Sequence, residues 1–204
     1  MNRKSIGLPI VLLLMILAAC RSSKPVEPRF YLLEFPSERI QADTLEMLPY
    51  VLEILPVDVH PAFASHQIAI RERSHELRYF SNHQWAVRPG QSLTRFVAEY
   101  FARTEIFQKT DTRFWTMQPD FKLKTSVYQL EVVRERNDFL AFLSVEFQLI
   151  SNHDGSVMFS HTAAKSRLLE KRNLNLFAEA INRLFFEELN YFARKVHFGL
   201  HSAQ

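Results

Sequence analysis

The chain has 204 residues, with 25 basic and 22 acidic side chains, 47% hydrophobic residues and a large aromatic content of 18 Phe, 6 Tyr and 2 Trp. That length suits one domain with a sizeable core. Bases are interspersed with acids and form no run that would track a phosphate backbone, which argues against nucleic acid as a partner. Glycine occurs only four times, never in the clustered pattern of a phosphate-cradling loop.

Asn2, Arg3 and Lys4 supply a cationic head, residues 6–17 are almost wholly apolar, and Leu17-Ala18-Ala19-Cys20 closes the segment. A charged head, an apolar run of about a dozen residues and small residues before a cut describe a secretory signal peptide over residues 1–19. The run falls short of the roughly 20 apolar residues that a spanning helix needs. Leu-Ala-Ala-Cys resembles the lipobox of bacterial lipoproteins. The resemblance implies that Cys20 is diacylated, becomes the new N-terminus and is acylated again. Cys20 is the sole cysteine, so in an oxidising compartment it has no disulfide partner. Arg21 follows it in place of an aspartate, which favours the outer membrane over retention at the inner one. Arg3 and Lys4 leave with the signal, so the processed chain carries 23 bases against 22 acids and is close to neutral.

Residues 20–28 then form a lipidated N-terminus and a polar tether with two prolines. Residues 29–35 predict a first strand stopped by Pro36, and residues 37–47 are polar and unpatterned. Residues 50–55 predict a second strand, with Pro56 marking an edge or bulge ahead of Val57-Asp58-Val59. His60-Pro61-Ala62-Phe63 turns the chain. Residues 67–71 and 76–80 predict two further strands joined by Arg73-Ser74-His75. A loop over 81–90 holds Trp85, and Ser92 is the expected N-cap of a helix over 93–103. Leu93, Phe96, Val97, Tyr100 and Phe101 recur at i, i+3, i+4, i+7 and i+8, one apolar stripe to bury against a sheet.

Residues 121–127 alternate apolar and polar as a half-buried strand does. After Val127 the phase slips by one residue and Tyr128, Leu130 and Val132 carry it on, which predicts a bulge. Residues 139–150 give the longest strand, with Phe139, Ala141, Leu143, Val145, Phe147 and Leu149 on one face. Asn152-His153-Asp154-Gly155 is the expected hairpin turn, returning over 157–168. A final helix over 173–196 carries the apolar face Leu174, Phe177, Ala178, Ile181, Leu184, Phe185, Leu189, Phe192 and Val196, with Gly199 as its stop. Glu188, at the edge of that face, is expected to snorkel or to pair with a strand arginine. Phe186 and Tyr191 fall off the stripe, as partly covered surface or as partner contacts. The pattern gives one domain over 29–198, followed by a tail over 199–204. Its expected class is α+β, an antiparallel-rich mixed β-sheet with two amphipathic helices packed on one face.

No chemistry declares itself. His197 and His201 have the i, i+4 spacing of a helical metal pair, but Gly199 stands between them and a frayed tail is the expected state. The other six histidines gather no ligand triplet, no nucleophile elbow is present, and Cys20 is committed to lipid. No metal, cofactor or catalytic residue is therefore expected.

From Tyr50 to Arg103 the sequence resembles the ABC-type transport auxiliary lipoproteins. These serve bacterial lipid-transport systems of the mammalian-cell-entry kind, including the paraquat-inducible one. The resemblance rests on Val57-Asp58-Val59-His60-Pro61, Gln67-Ile68-Ala69-Ile70-Arg71, Leu77-Arg78-Tyr79, Trp85-Ala86 and the amphipathic helix after Ser92. Phe30-Tyr31-Leu32-Leu33, the later strand and the long hairpin fit the same layout. Val87 departs from it, since an acidic residue often follows the Trp-Ala pair. The resemblance implies a noncatalytic periplasmic subunit, held to a membrane by its N-terminal lipid. It would dock on a mammalian-cell-entry-type substrate-binding subunit and an ABC permease–ATPase assembly, and a homo-oligomer is compatible with it. Tyr79 and Trp85 are its candidate partner-binding residues, and for each the alternative is a core cap whose polar atom finds a local partner. The competing functional readings are a lipoprotein that itself holds a lipid or amphiphile in an aromatic-lined groove, and a periplasmic hydrolase.

Overall fold

The computed structural model describes residues 27–36 and 45–202, so the signal peptide, Cys20 and residues 37–44 lie outside it. Its order is β1 (Arg29–Tyr31), β2 (Leu48–Ile54), β3 (Asp58–Val59), a 3-10 turn (Pro61–Phe63), β4 (Gln67–Arg73), β5 (Glu76–Trp85), α1 (Pro89–Thr104), β6 (Phe107–Asp111), β7 (Phe121–Glu135), β8 (Asp138–Ser151), β9 (Val157–Leu168) and α2 (Leu174–His201).

The 15 residues of β7 are the axis of the sheet. On one side β8 pairs with it antiparallel along its whole length, from Phe121↔Ser151 to Glu135↔Asp138, and β9 pairs with β8. The register slips between Val127 and Gln129, where the break in apolar alternation predicts the bulge. On the other side β2, β3 and β4 lie against β7 in succession and parallel to it, through Leu52↔Phe121, Asp58↔Ser126 and Ala69↔Glu131. Residues 52–71 thus form a single interrupted lane beside 121–133. The interruption at Pro56 denies the Val57 N–H a ladder partner. That N–H donates instead to Thr94 Oγ1 at 2.8 Å, and the Thr94 hydroxyl donates to the Gly90 carbonyl at 2.7 Å, so the gap in the sheet positions the first turn of α1. Beyond this lane β6 extends β2, β5 extends β4, and β1 extends β5.

Five of the eight strand pairings among the described residues are parallel, so the expected antiparallel bias is only partly right. The parallel contacts are short, and the antiparallel β7–β8 and β8–β9 ladders hold most of the paired residues.

Both helices share the core with one face of this curled sheet. Phe96 of α1 meets Phe185 of α2 edge-on at 5.1 Å between centroids. Phe147 of β8 touches both Phe185 and Phe192, and Trp85 lies 5.7 Å from Phe177. Such edge-to-face, tilted and stacked pairs add about 0.5–1.5 kcal/mol each beyond the area they bury. The first strand ends after three residues rather than seven. Residues 32–36 leave the sheet to cover the groove between the helices, burying Leu33 and Phe35, and the Glu34 N–H donates to Asn182 Oδ1 at 3.2 Å. Phe35 then meets Phe96, Tyr100 and Phe186, which gives the off-stripe Phe186 its place.

Four further expectations change. Strand β5 runs through Trp85, so no loop spans 81–90. Helix α1 begins at Pro89 behind Arg88, because proline at the first helical position has a preset φ and needs no donor there; Ser92 lies inside the first turn. Strand β6 was not expected, since Phe107 is the sole buried residue in five and leaves no alternation to detect. Finally, α2 continues through Gly199 to His201. A Cβ at Gly199 would sit 2.4 Å from two carbons of the Phe159 ring on β9, so this glycine admits a ring against the helix rather than ending it.

Gly199→Ala should therefore destabilise the domain by about 1–3 kcal/mol through overpacking. In a Phe159→Ala background the same change should be neutral or slightly stabilising, because alanine exceeds glycine in helix propensity by about 1 kcal/mol. Urea denaturation of the four variants of this cycle measures the coupling, and additive effects would refute the contact.

Candidate functional site

The extended sheet and the long α2, which starts near the β7–β8 tip and ends near the β8–β9 turn, give the domain two ends. At one lie the β4–β5 tip (Ser74-His75), the β7–β8 tip (Arg136-Asn137) and the start of α2, where Arg172 donates to the Asn137 side chain at 3.0 Å and its guanidinium lies over the Phe139 ring. At the other lie the β8–β9 turn with Gly155 at φ 74°, the chain entering β2 and β7, and the end of α2. There the buried His197 donates from Nε2 to the Glu46 carbonyl at 2.7 Å, and His201 stacks on it. Both histidines are thus helical rather than frayed, His197 buried and His201 exposed beside it.

Strand β1, which continues from the tether, runs parallel to β5 from Arg29↔His83 to Tyr31↔Trp85. The Tyr31 hydroxyl and His83 Nδ1 are 2.8 Å apart. Burial first, and the nearby Arg29 charge second, hold the His83 pKa below its ordinary value.

Tyr79 and Trp85 share β5 but have opposite fates. Tyr79 is 40% exposed and its hydroxyl donates to the Ala62 carbonyl at 3.0 Å, so it ties the 3-10 turn to the sheet while leaving part of its ring at the surface. Trp85 is 1% exposed. Its N–H donates to the His66 carbonyl and its carbonyl accepts from His66 Nδ1, so the residue offers its indole to Phe177 and no surface to a partner.

Beside Tyr79, across Ala69, the sheet face away from the helices holds Glu131, whose side chain is 1% exposed. Its Oε1 accepts from Arg71 Nε at 2.9 Å and Gln129 Nε2 at 3.3 Å. This ion pair was missed in the sequence because Glu131 sits where alternation predicts an ordinary polar face. Glu188 pairs with His161 at 2.7 Å and Lys165 at 3.7 Å rather than with an arginine, and Tyr191 lies 4.8 Å from the His161 ring. Among the described residues no group of three His, Cys, Asp or Glu side chains could hold a metal.

The large exposed apolar side chains are distributed unevenly. Met47, Trp115, Met117, Val157, Met158 and Phe198 belong to segments that meet at the β8–β9 end. Trp115 is 78% exposed and carries the Arg113 guanidinium 3.8 Å over its ring. Among the described residues a concavity of about 530 Å³ lies between residues 32–35 and α1, and Arg95, Glu99 and Arg103 share its lining with Leu32, Val87 and Phe96.

Two measurements check these placements. Acrylamide should quench the emission of a Trp85→Phe variant, which reports Trp115, and barely affect that of a Trp115→Phe variant; similar quenching in both would contradict the burial of Trp85. For His83, a depressed folded pKa means that the unfolded chain takes up the proton first. Stability should be flat above the ordinary value of about 6.5 and fall as the pH drops below it, until the folded imidazole also titrates. The melting temperature of wild type should fall relative to that of His83→Gln over that interval, and a pH-independent difference would exclude the effect.

A family model described as the ABC-type transport auxiliary lipoprotein component matches residues 31–186, from β1 to the middle of α2. No curated protein shows significant similarity. Among solved structures, protein XCC0632 from Xanthomonas campestris is 17% identical, with a TM-score of 0.64 over 88% of this chain and 96% of that one. A second, described as an uncharacterized protein, is 12% identical with a TM-score of 0.66 over 84% and 99% of the two chains. The hypothetical protein CT253 from Chlamydia trachomatis is 8% identical with a TM-score of 0.51 over 75% and 98%. At these identities the likeness is one of fold.

Proposed function

The chain belongs to the family of ABC-type transport auxiliary lipoproteins, and we propose that it is a lipid-anchored periplasmic subunit of a mammalian-cell-entry-type lipid transporter, acting by docking and without catalysis. The carrying observation is the family match, which spans the sheet, α1 and the first half of α2 as one unit. Attachment is assigned to acylated Cys20, on the likeness of Leu17-Ala18-Ala19-Cys20 to a lipobox, with the outer membrane as its site; among the described residues no helix is long and apolar enough to cross a membrane. The partners are the substrate-binding subunit and the permease–ATPase assembly. Their contact is assigned to the apolar β8–β9 end around Trp115 and Phe198, with the exposed ring face of Tyr79 as a second candidate, since aromatic side chains dominate binding energy at interfaces. Assembly as a homo-oligomer belongs to the same reading.

The amphiphile-carrier reading finds less support. A carrier needs a largely apolar pocket, whereas the aromatic rings here are spent on one another and the groove beside α1 is rimmed by charge.

Purification of the full-length lipoprotein in mild detergent should recover a substrate-binding or permease subunit, and repeated recovery of neither would count against the reading. Cys20→Ala should leave the domain folded, abolish labelling by a fatty acid and release the protein from membranes. Retention of that variant after a high-salt wash would show that lipid is not the main attachment.

A further inference from the structure

Strand β1 is parallel to β5, with Arg29 opposite His83. Traced backward from Arg29, the direction of β1 therefore points along β5 toward its first residue, Glu76, and the Ser74-His75 tip. Strand β5 carries three extra residues between Tyr79 and Gln84, so the span from that level to the tip is set by the six residues from Gln67 to Arg73 on β4, about 20 Å at a strand rise of roughly 3.3 Å per residue. The nine residues from Cys20 to Arg29 can reach about 30 Å when extended. The anchor is thus within reach of this end of the domain along the line on which β1 enters.

This end also has the charge that a bilayer surface selects. Residues 71–78, 134–138 and 170–172 hold seven arginines and lysines against five acids, and residues 20–26 add Arg21 and Lys24 with no acid. Glu72 is bridged by both Arg78 and Arg134, at 3.0 and 3.2 Å, and Arg71 is held by the buried Glu131, so three of those bases are already engaged with carboxylates, and Arg136 and Arg172 are not among them. At the opposite end, residues 107–122 and 150–156, with Glu46 and the last turns of α2 (Arg194, Lys195), carry five bases against four acids, so the two ends differ more in apolar exposure than in net charge. That end shows the exposed apolar side chains, whereas near the cationic tips the large exposed apolar residue is Leu168. The tips are therefore built to lie on headgroups rather than to insert among acyl chains.

The β7–β8 tip adds an independent observation. Arg136 sits at φ 53°, in the left-handed region that glycine or asparagine occupies at least cost. A strained non-glycine residue at an exposed tip points to a role for its side chain. A guanidinium there presents forked donors that match phosphate geometry.

We infer that the end formed by the β4–β5 and β7–β8 tips lies against the bilayer that holds the anchor, with Arg73, Arg136 and Arg172 contacting lipid headgroup phosphates. The inference rests on the acylation of Cys20 and deepens that reading by fixing which way the domain stands on the membrane. Its consequence is that the apolar β8–β9 end points away from the anchoring bilayer.

The test uses the full-length lipidated protein in vesicles containing phosphatidylglycerol. Acylation consumes the only natural cysteine, so Ser74→Cys, Asn137→Cys and His153→Cys each offer one thiol for a bimane label. A lipid with a nitroxide on its headgroup should quench the labels at positions 74 and 137 several-fold and leave the label at 153, on the opposite turn, nearly unchanged. Equal quenching at all three positions, or stronger quenching at 153, would overturn the orientation. Adding Arg73→Glu and Arg136→Glu to the Ser74→Cys protein should reduce its quenching, and unchanged quenching would overturn the role of the arginines. Flotation of the same samples separates the two levels. A protein that floats without quenching at 74 and 137 defeats the orientation alone, whereas one that does not float defeats the anchor reading and this inference with it.

Discussion

The fold depends on giving β7 a partner along both edges. A central strand of 15 residues carries a long row of backbone donors and acceptors on each side, and leaving them unpaired in a buried sheet would be costly. One edge is served simply, by the antiparallel hairpin into β8. The other must be served by chain arriving from elsewhere, and residues 52–71 do so in three parallel pieces. Each break between those pieces recruits another element. At Pro56 the stranded Val57 N–H finds Thr94 on α1, and after Val59 the 3-10 turn is held by the hydroxyl of Tyr79. Helix placement and turn placement both follow from completing the β7 ladder.

Much of this was legible where the residues carry period and little where they carry pairing. Alternation through Ala141, Leu143, Val145, Phe147 and Leu149 specified β8, and the phase slip after Val127 specified the bulge, because each reflects which face a side chain must take. Parallel neighbours were invisible, since nothing in residues 52–59 says that their partner lies about 70 positions onward. Glycine and serine misled for a related reason. Gly199 and Ser92 look like helix punctuation in isolation, but the Phe159 ring and Pro89 decide what they do. For the candidate site, Tyr79 and Trp85 were visible as residue types, while their division into half-exposed ring and buried indole required the position of Phe177.

Glu131 shows how a polar residue can be committed inside such a sheet. It lies on the face away from the helices, yet its side chain is 1% exposed, and its Oε1 is held by Arg71 and Gln129. A buried ion pair gains little over an apolar pair of the same volume, but losing one partner strands the other charge. Arg71 belongs to β4 and Glu131 to β7, so the pair sits across the parallel seam where the ladder contact is only three residues long. Its value lies in register: sliding β4 by one residue along β7 would separate the charges and turn Ile70 away from the core.

The shortness of β1 follows from its place next to the tether. A three-residue parallel contact is a weak hold by itself. The chain gains a firmer one immediately afterwards, where Leu33 and Phe35 enter the groove between α1 and α2 and the Glu34 N–H bonds Asn182. The anchor proposed at Cys20 would load the domain first at β1 and then at this wedge, which joins both helices at once. Seven residues kept in the sheet, as the strand pattern alone suggests, would have fastened the tether to an edge strand only. Leaving the sheet after Tyr31 fastens it to the core.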